Sequence, residues 1–252
     1  MQIKLCFNTT KIWKKAKAYR KTYQTNSVQL LSKAILGLGV VFLVSGCSRS
    51  VNPNFYSLTP KMTPLLSSNV KLIQVMPVTL PDRLNTSLMV LQKSDGKTYM
   101  LDNQRWSSNL SDQLQSVLSA GLQQKLGAID VYNTGLTGGK VSYLIAPEFS
   151  RFDIVENIQN QQTHIEVISA WVVKRNEPIS GSLSSTNTTS GNQQLNCHMS
   201  FSNPVDGKSP NFVNIVATYQ DSLNRVVDAI AMSTIALDAK KTPNGHGIIC
   251  SS

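Results

Sequence analysis

Along residues 55–237 the hydrophobic positions switch between a period of two and a period near four. The shorter period predicts strands. Phe55–Leu58 is a brief extended piece before Pro60, and Val70–Val78 is a β-branched run. Ser87–Gln92 and Lys97–Leu101 flank Lys93-Ser94-Asp95-Gly96, and Asp-Gly between two such runs predicts a hairpin. Ala128–Tyr132 reads as a short strand, and 133–139 as a loop. Lys140–Val155 and Thr163–Lys174 read as two long strands joined by a polar tip at 157–162. In the second, Ile165, Val167, Ser169, Trp171 and Val173 share one face; Glu166, Ile168, Ala170 and Val172 share the other. That other face is also largely apolar, so the strand is expected to be central in its sheet. Leu195–Phe201 reads as a last strand.

The longer period predicts two amphipathic helices. In Ser108–Leu126, Leu110, Leu114, Val117, Leu118, Gly121, Leu122 and Leu126 make one stripe. Ser107 or Ser108 is the expected N-cap, Asp112 suits the positive helix end, and Gly127 offers a left-handed stop. The second helix is expected to start at Ser209-Pro210, with Ser capping and Pro at the first helical position, and to end near Leu237. Its stripe runs through Phe212, Ile215, Val216, Tyr219, Leu223, Val226, Val227, Ile230 and Ile235. Two such helices need an apolar surface to cover, which a mixed β-sheet supplies. The expected fold class is α/β: a single domain over 55–237, a mixed β-sheet packed by two long amphipathic helices. Residues 176–194 read as a flexible polar insertion, and 238–252 as an irregular polar C-terminal tail.

The N-terminal segment obeys neither period. Residues 34–44 are an unbroken apolar run, as long as a secretory h-region and too short to span a bilayer, which takes ~20 residues. Before it stand eight basic residues, from Lys4 to Lys33, and no acidic one. After it comes Leu43-Val44-Ser45-Gly46-Cys47, which resembles a bacterial lipobox. Residues 1–46 are therefore expected to be a lipoprotein signal peptide, Cys47 the lipidated residue, and 47–54 the lipid anchor and tether. The alternative is an uncleaved membrane anchor with an incidental Cys. Ser48 rather than Asp after Cys47 resembles the pattern of lipoproteins sorted to the Gram-negative outer membrane.

This assignment changes the meaning of the charge. The 252-residue chain carries 24 Lys+Arg against 14 Asp+Glu, a formal +10. Removing eight basic residues with the signal leaves 24 − 8 = 16 against 14, or about +2. A nucleic-acid partner, which the whole-chain charge would invite, is no longer expected.

Catalytic motifs are sparse. Gly138-Gly139-Lys140 is not a P-loop, and Gly-x-Ser-x-Gly, His-Glu-x-x-His and Cys-x-x-Cys do not occur. Glu148, Asp153 and Glu156 lie on or beside one strand, and are read as solvated strand residues in preference to a catalytic carboxylate pair. Arg105-Trp106, before the first helix, is read as packing at the sheet–helix junction in preference to a partner-binding aromatic. Cys6 leaves with the signal and Cys47 takes lipid. The even pair that stays, Cys197 and Cys250, is read first as a disulfide in an oxidising compartment. A metal site from Cys197, His198, His246 and Cys250 and a pair of free thiols are the alternatives. No metal, cofactor or enzymatic activity is expected.

Several stretches, taken in order, resemble the ABC-type transport auxiliary lipoprotein family. They are Leu43–Cys47, Asn54-Phe55-Tyr56-Ser57-Leu58, Val75–Leu84, Asn103-Gln104-Arg105-Trp106 and Glu148-Phe149, the last taken as a strand end, followed by the closing helix. The resemblance implies a lipoprotein on the periplasmic face of the outer membrane. Its implied role is to dock an inner-membrane partner with MCE domains that conducts lipid between membranes, and a ring-like homo-oligomer would suit that role. The long basic segment, the 176–194 insertion and the Cys-bearing tail depart from the family's pattern. The competing readings are a lipid- or small-ligand-binding lipoprotein and an envelope-assembly lipoprotein.

Overall fold

In the computed structural model the described residues are 52–60, 63–64, 68–177, 194–207, 211–243, 245 and 247–251. The signal, the lipobox with Cys47, most of the 176–194 insertion, Ser209-Pro210 and His246 lie outside them. Among the described residues, nine strands form one sheet: β1 (Asn54–Tyr56), β2 (Leu72–Val75), β3 (Leu88–Lys93), β4 (Thr98–Trp106), β5 (Ile129–Asp130), β6 (Ser142–Glu156), β7 (Thr163–Asn176), β8 (Gln194–Pro204) and β9 (Ile249–Ser251). Two helices accompany them, α1 (Leu110–Leu126) and α2 (Phe212–Asp238). The main order is β1-β4-β3-β6-β7-β8-β9. β2 pairs with the first part of β6, β3 with its last part, and β5 extends the β2 side. Parallel and antiparallel pairs coexist, so the sheet is mixed, as its residue pattern predicts.

β7 is central, between β6 and β8. Its face of Ile165, Val167, Ser169, Trp171 and Val173 is buried, while Glu166, Ile168, Ala170 and Val172 are part-exposed or exposed. Both helices lie against the buried side, and α1 also packs on α2. The predicted stripe of α1 is buried in full, and Gly127, in the left-handed region (φ 60°), closes the helix with its N–H on the Gln123 carbonyl.

Three expectations need correction. The N-cap of α1 is Asn109, without a side-chain cap bond, not Ser107 or Ser108. Those two hydroxyls instead accept from Gln113 Nε2, at 2.6 and 3.1 Å, and so leave the helix end. α2 starts at Phe212, capped by the Asn211 side chain, which accepts from the Asn214 N–H at 2.9 Å. The capping oxygen is thus two residues later than Ser209. The tail is not wholly irregular: Ile249–Ser251 adds an edge strand to β8, with Cys250 opposite Cys197. Ile248, partly buried against the core, carries that strand in.

α2 is buried beyond its predicted stripe, because it packs on β7, on β8 and on α1. Ala229, Ala231, Ser233, Thr234 and Ala236 are buried too. Ser233 and Thr234 satisfy their hydroxyls on carbonyls four residues back, at 2.8 Å each, so burial leaves no orphaned donor there.

Candidate functional site

The stretches that carry the family resemblance are scattered in sequence but meet in space. β1 runs parallel to β4 with Asn54, Phe55 and Tyr56 opposite Gln104, Arg105 and Trp106. The Tyr56 hydroxyl donates to Gln104 Oε1 at 2.9 Å, and the Ser57 and Ser107 hydroxyls are 2.8 Å apart. The next two residues are clamped by the helices. The Leu58 N–H donates to Gln113 Oε1 of α1 at 3.0 Å, and the Thr59 N–H to Gln220 Oε1 of α2 at 2.6 Å. Chain arriving from the N-terminal side is therefore fixed to the sheet edge and then to both helices. Gln104 lies in a stretch that carries the resemblance; Gln113 and Gln220 were not legible in the sequence.

Behind this clamp lies an aromatic knot. Trp106 is 2% exposed and meets Tyr219 edge-on at 5.1 Å; Phe152 meets the same ring at 4.7 Å. Trp106 thus packs at the sheet–helix junction. The Tyr219 hydroxyl donates to the Phe152 carbonyl at 3.1 Å. Burial pushes its pKa up, and the nearby Asp153 charge pushes it further.

Asp153 corrects an expectation. It is fully buried, not a solvated strand residue. A bulge between Phe149 and Arg151 shifts the β6 register, and Asp153 then stands opposite Glu166. Two like charges across a strand pair repel. Each has its own counter-ion: Arg83 holds Asp153 through both terminal nitrogens, with Nη2–Oδ2 at 3.0 Å, and Arg151 holds Glu166. The hydrogen bond to Asp153 pushes the Arg83 pKa up against the opposing effect of burial. Glu148 is exposed, and Glu156 meets Lys93 at 3.7 Å. Glu148-Phe149 lies mid-strand in β6, which continues to Glu156, so it does not end a strand.

Cys197 and Cys250 face each other across β8 and β9, with a 1.97 Å S–S bond and Cα atoms 4.1 Å apart. Beside them, α2, β8 and Ile248 border a half-open pocket of about 480 Å³. Met199, Ala229, Met232 and Ile248 give it an apolar wall, Arg225 and Asp228 a charged one. The Arg225 guanidinium lies 4.1 Å over the Phe201 ring. Asp228 Oδ1 is 2.6 Å from Lys125 Nζ of α1, an ion contact whose angle falls outside hydrogen-bond geometry.

The family model for the ABC-type transport auxiliary lipoprotein component matches residues 56–231, from β1 into the last turns of α2. The chain belongs to this family. The auxiliary lipoprotein domain thus contains the glutamine clamp, the aromatic knot and the Arg83–Asp153 pair, while β9 and Cys250 lie beyond the matched residues. Curated relatives include the intermembrane transport lipoprotein PqiC of Escherichia coli K12 and that of Shigella flexneri. Each is 30% identical over 99 residues, 38% of this chain and 53% of the relative. The chain spans about half the length of the curated relatives it matches. Crystal structures share the fold. That of a Xanthomonas campestris protein gives a TM-score of 0.54 at 12% identity, over 74% of this chain and 98% of the other. That of an uncharacterised protein gives 0.51 at 18%, over 72% and 97%. At those identities the likeness concerns fold alone.

Among the described residues, no helix is long and apolar enough to cross a membrane.

Proposed function

We propose that this auxiliary lipoprotein is a non-enzymatic docking component of an MCE-type intermembrane lipid transport system. In this reading it is held on the periplasmic face of the outer membrane by lipid on Cys47. The observation that carries the proposal is the path of the chain after the tether. Asn54–Tyr56 joins the sheet, and Gln113 and Gln220 grip the backbone N–H groups of Leu58 and Thr59. A load on the anchor is thereby shared by the sheet and both helices. That suits a part whose task is to hold another assembly in place.

Family membership and the PqiC likeness support the transport context. The lipobox and Ser48 support the anchor and its outer-membrane destination. An MCE-domain partner, and a homo-oligomer matching that partner's symmetry, follow from the resemblance. Membrane fractionation tests the anchor: Cys47→Ala should release the protein into the soluble periplasm. The wild-type chain should sediment with outer rather than inner membranes. A Cys47→Ala chain that stays with membranes would contradict the reading.

A lipid-binding lipoprotein is the second reading. The pocket beside α2 favours it, since about 480 Å³ lies inside the ~300–1,000 Å³ range of ligand pockets. Mass spectrometry of organic extracts from the purified protein tests it. Lipid present in stoichiometric amount, and lost in a Met232→Trp variant that fills the pocket, would support this reading.

A further inference from the structure

We propose that the hairpin-tip end of the sheet, formed by the β3–β4 turn and the β6–β7 tip, rests on the lipid surface that carries the anchor. This rests on the Cys47 lipidation reading above.

Strand directions supply the first argument. β1 is parallel to β4, β4 antiparallel to β3, and β3 parallel to β6. The chain therefore enters β1 from the end where β3 turns into β4 and β6 turns into β7. Reach supplies the second. Asn54 pairs with Gln104. Cys47 precedes Asn54 by seven residues, and Lys97 precedes Gln104 by seven. An extended chain covers ~3.3–3.6 Å per residue, so the tether spans roughly 24 Å. Measured from Asn54 toward the end where β1 is entered, that length reaches the turn and little further. The registers place Asn54 roughly level with Arg151, about six residues from the tip at Asn157 and about nine from Ser142 at the far end. The far end would demand a reversal of the chain as well as a longer reach.

The composition of the tip end fits an interface between water and lipid. The two tips are one platform: the Ser94 N–H donates to the Glu156 carbonyl at 3.0 Å, and the Ile158 N–H to Ser94 Oγ at 3.1 Å. Its charges are internally matched, Lys93 with Glu156 and Lys97 with Asp95. Ile158 projects from it 49% exposed, and Met100 is 56% exposed near the start of β4. Tyr99 carries Lys93 Nζ 5.1 Å over its ring, an aromatic–cation pair of the type that suits headgroup depth. Tethering raises the local concentration of the surface, so contacts too weak to bind free protein suffice. Apolar exposure alone would not choose this end, because Ile129, Tyr132 and Leu136 are exposed at the opposite one. The direction in which the chain enters β1, with the seven residues that separate Cys47 from Asn54, chooses it.

Site-directed fluorescence on the full lipidated protein tests the inference. With Cys197 and Cys250 bonded and Cys47 acylated, Ile158→Cys and Leu136→Cys each provide one thiol for an environment-sensitive dye. Both positions are exposed, and matching thermal unfolding curves check that both variants fold. The proteins are reconstituted in phosphatidylethanolamine–phosphatidylglycerol vesicles containing spin-labelled lipid. The dye at 158 should be quenched several-fold more than the dye at 136, and adding Cys47→Ala should abolish the difference. Equal quenching, or stronger quenching at 136, overturns the inference while leaving the anchor reading intact. Failure of the wild-type protein to float with vesicles instead overturns the anchor reading, and this inference falls with it.

Discussion

Arg83 grips the fully buried carboxylate of Asp153 with both ends of its guanidinium fork, although 38% of its own side chain faces solvent. A turn residue thereby neutralises a charge on the sheet 70 positions away. Removing one partner of a buried pair costs about 3–5 kcal/mol, and water entering through the exposed side should lower that to about 2–3 kcal/mol for Arg83→Ala. Joint replacement by Arg83→Met and Asp153→Leu should recover most of the loss, because no charge is then left buried. Urea unfolding of both variants checks this. A loss below about 0.5 kcal/mol in Arg83→Ala would mean that the pair does not hold the turn to the sheet.

The cysteine staple should act on a loop closed across 53 positions. Double replacement, Cys197→Ala with Cys250→Ala, should lower stability by about 4 kcal/mol in the chain-entropy account. Thiol labelling of the mature protein should find no reactive thiol until reductant is added. Labelling of both cysteines without reductant would contradict the bonded pair.

Alkaline pH should destabilise the domain through two tyrosines. Burial, then the Asp238 carboxylate at 2.5 Å, pushes the Tyr143 pKa up; burial, then Asp153, does so for Tyr219. Both are raised, so above the ordinary tyrosine value near ~10 the unfolded chain binds fewer protons than the folded one. Their contribution is complete below pH ~10 and is lost as pH rises toward the folded values. Denaturation midpoints should be level from neutral pH to pH ~9.5 and fall above it, with a shallower fall in Tyr143→Phe. An identical fall in that variant would remove Tyr143 from the account.

The N-terminus of α2 offers a small, clean test. Asn211→Ala removes the oxygen that accepts the Asn214 N–H and should cost about 1 kcal/mol, while Asn211→Ser should cost almost nothing. Equal losses would show that the side chain does not cap.

Strand and helix periods were legible because one face of the sheet and one stripe of each helix are buried. α1 shows this most plainly: its predicted stripe is buried. β7 is central as expected, with one of its two apolar faces buried and the other part-exposed. Local rules failed where a distant partner takes the deciding group. Ser107 and Ser108 have capping chemistry, but Gln113 engages their hydroxyls. Asp153 lies between Phe152 and Ile154 and looks like an ordinary strand acid until Arg83 arrives from a remote turn. β9 is only three residues long, and a period of two cannot be read over that length; its place is set by pairing with β8. The clamp was hidden for a related reason. Glutamine is unremarkable by composition, and Gln113 and Gln220 acquire their role only when the chain at Leu58 and Thr59 passes between the helices.

The central claim, an anchored docking component, is tested most directly by crosslinked affinity purification of the full-length protein from intact envelopes. The account predicts recovery of an MCE-domain transporter component with the wild-type chain. It predicts loss of that partner when the domain is deleted and the anchor kept. Recovery of no transporter component from well-crosslinked envelopes would contradict it.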